Sequence, residues 1–156
     1  MASDRSATRP GAVLFACNYN RVRSPMAEAL LKRLVGQEIF VDSCGLKHPS
    51  ARAEADADGE IDPFARAVMA ELGCDLSGHH AKTFDELEDE SFDVVISLTP
   101  ESQHRAVELA RGRAADIEYW PILDPTLADG SREARLEVYR AVRDTLAARI
   151  VQRFGR

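Results

Sequence analysis

Four short apolar runs recur along the chain, at 12–16, 39–44, 93–98 and 116–120, with helical patterns lying between them. Runs of this length are too short for buried helices and suit strands enclosed on both faces. Segment 25–35 puts Ala27, Leu30, Leu31 and Leu34 on one face, opens with Pro25 at the favoured first helical position and stops at Gly36. Segment 63–72 aligns Phe64, Val68 and Leu72 before Gly73, and segment 100–111 has Thr99 as its cap and Gly112 as its stop. Thr83 and Glu86 have the spacing of a capping box. A last stripe of Leu136, Tyr139, Val142, Leu146 and Ile150 marks a long helix over about 131–154. Strands alternating with helices imply parallel strands joined by crossovers that cover both faces of a sheet. The expected fold class is therefore α/β, a three-layer α/β/α domain with a four-stranded parallel sheet.

Such sheets bind ligands beyond the carboxyl ends of their strands, where strand order reverses. Cys17 follows the first run, and the loop after the last run carries Asp124. The two are expected to meet. Residues 17–24 read Cys-Asn-Tyr-Asn-Arg-Val-Arg-Ser. A polar loop of this size, closing at a helix start, presents amides without intrahelical partners and can wrap a tetrahedral oxyanion. The helix dipole adds positive potential around Cys17, the setting in which a cysteine becomes a nucleophile. Arg23 supplies a bidentate clamp, and the Ser24 hydroxyl sits where it can hydrogen-bond the thiolate. Asn20 tolerates the left-handed backbone that a tight loop needs. Asn18, Tyr19, Asn20, Arg21, Val22 and Ser24 are thus the expected substrate-binding residues, and Cys17, Arg23 and Asp124 the catalytic ones. An alkoxide or phenoxide departs poorly without a proton, and the Asp124-Pro125 pair offers a stiffened carboxylic acid at the pocket mouth. Asp62-Pro63 is its rival, although that proline also reads as a helix start.

The remaining composition bounds the setting. A chain of 156 residues suits one domain, with 1–11 as a flexible tail and 12–156 as the folded unit. A formal net charge of -6 opposes binding to nucleic acid or an anionic membrane, so neither partner is expected. Cys17, Cys44 and Cys74 are spaced for neither a disulfide framework nor a zinc cluster, which points to a reducing cytoplasm. No metal ligands group along the chain: His79-His80 and His104 stand apart from other donors. Tyr119 and Trp120 are read as packed at the sheet end, with a cleft-lining role as the alternative. Segment 47–62, rich in acidic and small residues, is either a solvated loop or a lip over the pocket.

The loop 17–24, the Pro25-Met26-Ala27-Glu28-Ala29 that follows and the late Asp124-Pro125 resemble the low-molecular-weight protein tyrosine phosphatases. The resemblance covers nearly the whole domain. It implies a phosphotyrosine phosphatase I-like fold and a metal-free, cofactor-free phosphomonoesterase acting through a cysteinyl-phosphate intermediate. Cys17 takes the nucleophile's place, Arg23 the clamp's and Asp124 the acid's. The implied substrate is a phosphorylated protein or a small aryl phosphate. Three departures stand out: Tyr19 replaces the usual glycine, Val22 replaces a frequent second cysteine, and Thr126-Leu127 replace the aromatics that phosphotyrosine-directed members place after the Asp-Pro pair. Arsenate reductases of the same fold are also similar, especially around 71–76 and the last helix. Their relay cysteines follow the third strand, where this chain reads Ser97-Leu98-Thr99-Pro100-Glu101-Ser102. Arsenate reduction by Cys17 with an external thiol, and a catalytically weak phosphate-binding module, are the two alternative readings.

Overall fold

β1 (Ala12–Cys17) is the spine of the domain: β2 (Phe40–Gly45) pairs with it on one side and β3 (Val94–Ser97) on the other, and β4 (Asp116–Tyr119) closes the far edge. All pairings are parallel and the order is β2-β1-β3-β4. The computed structural model describes residues 9–49, 59–89 and 91–155. Strand alternation sends Val13, Phe15 and Cys17 into one core and Leu14 and Ala16 into the other. Helices α1 (Arg23–Val35), α2 (Pro63–Ala70) and α4 (Arg132–Phe154) pack over the first face, and α3 (Pro100–Ala110) packs over the second with a short turn of 3-10 helix at Phe84–Glu86. This is the expected three-layer α/β/α arrangement. Connections leave β1 toward opposite neighbours, so strand order reverses at its carboxyl end, directly at Cys17.

Several boundaries differ from the sequence expectation. α1 begins two residues before Pro25, at Arg23, and its cap position, Val22, makes no side-chain cap bond. The proline is tolerated because first-turn amides lack intrahelical partners in any case. Leu34, expected on the apolar face, is exposed, whereas Ala27, Leu30 and Leu31 are buried. α2 ends at Ala70, short of Leu72. The Glu86 carboxylate accepts from the Thr83 amide as anticipated, but the helix it opens is one 3-10 turn. Thr99 and Ser131 cap α3 and α4 through their side chains.

Of the tail expected over 1–11, residues 1–8 lie outside the described residues. The remainder is tied down: Arg9 donates to Glu38 (3.0 Å) and to the Phe154 carbonyl (2.5 Å), and the Gly11 amide donates to Asp93. Residues 50–58, the middle of the suggested lip, also lie outside the described residues. Among the described residues no helix is long and apolar enough to cross a membrane.

Candidate active site

The loop between β1 and α1 is held from outside by its carbonyls. Leu46 and Lys47 amides donate to Cys17 and Asn18, the Asp62 amide to Arg21 and the His79 ring to Asn20, while Val22 accepts from Met26 within the opening turn of α1. A carbonyl only accepts, so His79 carries its proton on Nε2. Burial lowers the proton affinity of the ring, outweighing the pull of the Asn20 carbonyl. With these carbonyls turned onto neighbours, the amides of the loop and of the first turn of α1 are left for the centre, the arrangement of an anion nest. Asn20 adopts φ 57°, the left-handed conformation expected of it. Gly45 lies against the back of the loop: a Cβ there would sit 2.9 Å from the Asn20 nitrogen and 2.9 Å from the Tyr19 carbonyl carbon. No other residue type fits.

Beneath the loop runs a buried polar chain. Asn20 Nδ2 donates to Ser24 Oγ (2.8 Å) and to Ser43 Oγ (2.9 Å), and the Ser43 hydroxyl donates in turn to Glu28 Oε1 (2.5 Å). Ser24 Oγ, which accepts from Asn20, lies 2.9 Å from Cys17 Sγ and 3.4 Å from the Cys44 carbonyl, so toward a thiolate its hydroxyl can donate along the shorter contact. Lys82 closes the network by donating its amide to Asn20 Oδ1. Asn20 and Ser24, expected among the substrate-binding residues, are fully buried and their side chains do not line the cleft. They brace it from behind.

The cleft has a volume of about 420 Å³ and is lined by Cys17, Asn18, Tyr19, Arg21, Val22 and Arg23 of the loop, with Asp62, Asp124, Thr126 and Leu127 around it. Arg23 and Asp124, distant in sequence, come together: Arg23 Nη1 donates to the Ile122 carbonyl (3.0 Å), and Nη2 lies 3.8 Å from Asp124 Oδ2. The other carboxylate oxygen of Asp124 accepts from the Thr126 amide and hydroxyl. Asp62 caps α2 through Phe64 and Ala65 amides and also accepts from the Tyr139 hydroxyl (3.2 Å). Burial first, then the Asp62 charge, pushes the Tyr139 phenol well above its ordinary range. Arg21 Nε donates to the Glu60 carbonyl. Trp120 is buried with its ring 6.0 Å from Phe15, and neither it nor Tyr119 lines the cleft.

Sequence reasoning missed the parts played by Tyr139, Ser43, Glu28, His79 and Gly45; Asp62, weighed there as a rival acid and as a helix start, is the helix cap. Only the repeated Asp-Pro dipeptide hinted that both aspartates belong to one place.

Neither Cys44 nor the half-buried Cys74 lines the cleft. Cys44 lies beside Ala16 in the register and faces the opposite core from Cys17. It is fully buried, and burial pushes its thiol far up. The segment after β3 meets the loop through a hydroxyl: Thr99 Oγ1 donates to Asn18 Oδ1 at 2.8 Å. No group of three or more His, Cys, Asp or Glu side chains among the described residues could hold a metal ion.

The profile of the low molecular weight phosphotyrosine protein phosphatase family matches residues 12–154. The chain belongs to this family. It is 33% identical over 138 residues to a glutaredoxin arsenate reductase of Synechocystis sp., covering 88% of this chain and 92% of the relative. An arsenate reductase solved in the phosphate-binding state superposes with a TM-score of 0.71 at 30% identity, over 92% of this chain and 96% of the other. YwlE arginine phosphatase, whose parent protein comes from Bacillus subtilis, superposes with a TM-score of 0.69 at 25% identity, over 90% and 91% of the two chains. Both arsenate reductases and phosphatases thus share this fold and its family features.

Proposed function

We propose that the protein is a cysteine-dependent phosphomonoesterase that works through a cysteinyl-phosphate intermediate. The observation that carries this reading is the convergence of Cys17, Arg23 and Asp124 on one cleft whose loop turns its carbonyls outward. In this scheme the Cys17 thiolate attacks phosphorus in line, and the S–P bond forms as the bond to the leaving oxygen breaks. Asp124 Oδ2, the carboxylate oxygen turned toward Arg23, delivers the proton to that leaving oxygen. Arg23 leaves the Ile122 carbonyl and Asp124 to clasp the equatorial oxygens, where it and the loop amides stabilise developing charge. Water then attacks phosphorus with Asp124 now accepting its proton, and Ser24 stabilises the departing thiolate.

A second reading, arsenate reduction, is supported by the names of the relatives and by the chemistry that arsenate shares with phosphate. Neither Cys44 nor Cys74 lines the cleft and the segment after β3 bears hydroxyls rather than thiols, so in this reading the two electrons come from Cys17 and an external thiol. The protein is expected to act in the cytoplasm, where such thiols are abundant. A side-by-side assay decides between the readings: purified protein given an aryl phosphate, a phosphotyrosine peptide and phosphoarginine without metal, and arsenate with glutathione and glutaredoxin. Aryl phosphate turnover that disappears in Cys17→Ser supports the phosphatase. Arsenate turnover with no phosphatase activity overturns it.

A further inference from the structure

We infer that Arg132 and Arg135, gathered over the Phe64 ring at the lip of the cleft, form an anion subsite for an acidic side chain flanking the phosphorylated residue of a protein substrate. The inference rests on the phosphatase reading. Arg135 Cζ lies 4.4 Å from the centre of the Phe64 ring and Arg132 Cζ 5.5 Å from it. Phe64 is fixed in turn: its amide donates to Asp62, which lines the cleft, and its ring packs 5.3 Å from that of Tyr139, whose hydroxyl reaches the same Asp62. Arg132 opens α4 five residues after Leu127, another cleft wall. The pair therefore borders the site rather than some remote surface.

Their convergence on one ring is the informative part. Carboxylates outnumber basic side chains in this chain, 26 to 20, and Arg9, Arg105, Arg140, Arg143 and Arg153 all find acidic partners. Neither Arg132 nor Arg135 is paired with a carboxylate among the described residues. Glu133, which lies between them in sequence, is turned onto Arg140. Two guanidiniums over one ring repel each other, and an anion bridging them relieves that repulsion. Stacking on the ring also orients both forks beforehand, so less freedom is lost when a carboxylate docks. An acidic residue on the peptide supplies that anion while its neighbour's phosphate occupies the loop.

The test compares phosphotyrosine peptides of equal length flanked by Glu or by Gln, with an aryl phosphate alongside. In the wild-type protein the Glu-flanked peptide should have the lower KM, and sodium chloride should erode the preference. In Arg132→Gln/Arg135→Gln, the ratio of kcat/KM for the Glu-flanked peptide over the aryl phosphate should fall roughly three- to ten-fold, the range of two partly exposed ion pairs. Calorimetric titration of Cys17→Ser with both peptides provides a readout independent of turnover. Aryl phosphate turnover without any preference for the Glu flank, or a ratio unmoved by the double substitution, overturns the subsite and leaves the phosphatase reading intact. Tighter binding of the Glu-flanked peptide with no turnover of any phosphate supports the subsite and overturns the phosphatase reading.

Discussion

Asp62 and Asp124 flank the same cleft, each followed by proline and each capping a helical turn, yet they are placed for different work. Asp62 spends one oxygen on the Phe64 and Ala65 amides and the other on the Tyr139 hydroxyl. Asp124 spends one oxygen on Thr126 and keeps the other toward Arg23, at 3.8 Å. A carboxylate with both oxygens committed is a brace. One with a free oxygen beside a cation that can turn away to substrate is available to carry a proton. The contrast shows that a dipeptide does not confer a role; the hydrogen-bond account of each oxygen does.

The contrast presupposes a nucleophile between the two aspartates, so the first way to break it is Cys17→Ser, which should lower phosphatase kcat/KM by about 10³-fold or more. Next, Asp124→Asn should lower kcat by roughly 10²–10³-fold for alkyl phosphates and far less for activated aryl esters, because only poor leaving groups need the proton. Equal losses for both ester classes would remove Asp124 from the acid's role. Asp62→Ala should do the reverse: a small change in kcat and a loss of about 2–3 kcal/mol in urea unfolding, from the lost cap and the buried Tyr139 hydroxyl left unpaired. If Asp62→Ala matched Asp124→Asn in activity, the division of labour would fail. Tyr139→Phe alone should cost about 1 kcal/mol, and in the Asp62→Ala background it should cost less, a coupling readable in a double-mutant cycle.

The smallest expected effect concerns pH. His79 in the folded protein binds its proton less readily than the ordinary value of 6.5 implies, chiefly through burial. The unfolded chain therefore takes up a proton first as pH falls. The stabilising contribution is full above 6.5 and is lost as pH drops through the folded value. His79→Gln should flatten the acid side of the stability profile.

Much of the architecture was legible because periodicity is a local signal. The four apolar runs became the four strands, Gly36 and Gly112 fell just beyond helices, and the left-handed turn at Asn20 matched its residue type. The start of α1 was not legible, since the loop that leads into it is fixed by bonds from Leu46, Lys47, Asp62 and His79, which are remote in sequence. Asp62 was legible as a helix start, but its contact with Tyr139 was hidden for a related reason. That second engagement depends on Tyr139 arriving from α4. Leu34 satisfied the helical spacing, but the neighbouring elements leave it exposed.

The fit of Gly45 against the back of the loop makes the end of β2 a casting mould for the site. A loop transplanted from a relative would keep its shape only if its own β2 end came with it. For the same reason, Gly45→Ala offers protein engineers a way to deform the site from behind without substituting any cleft-lining residue.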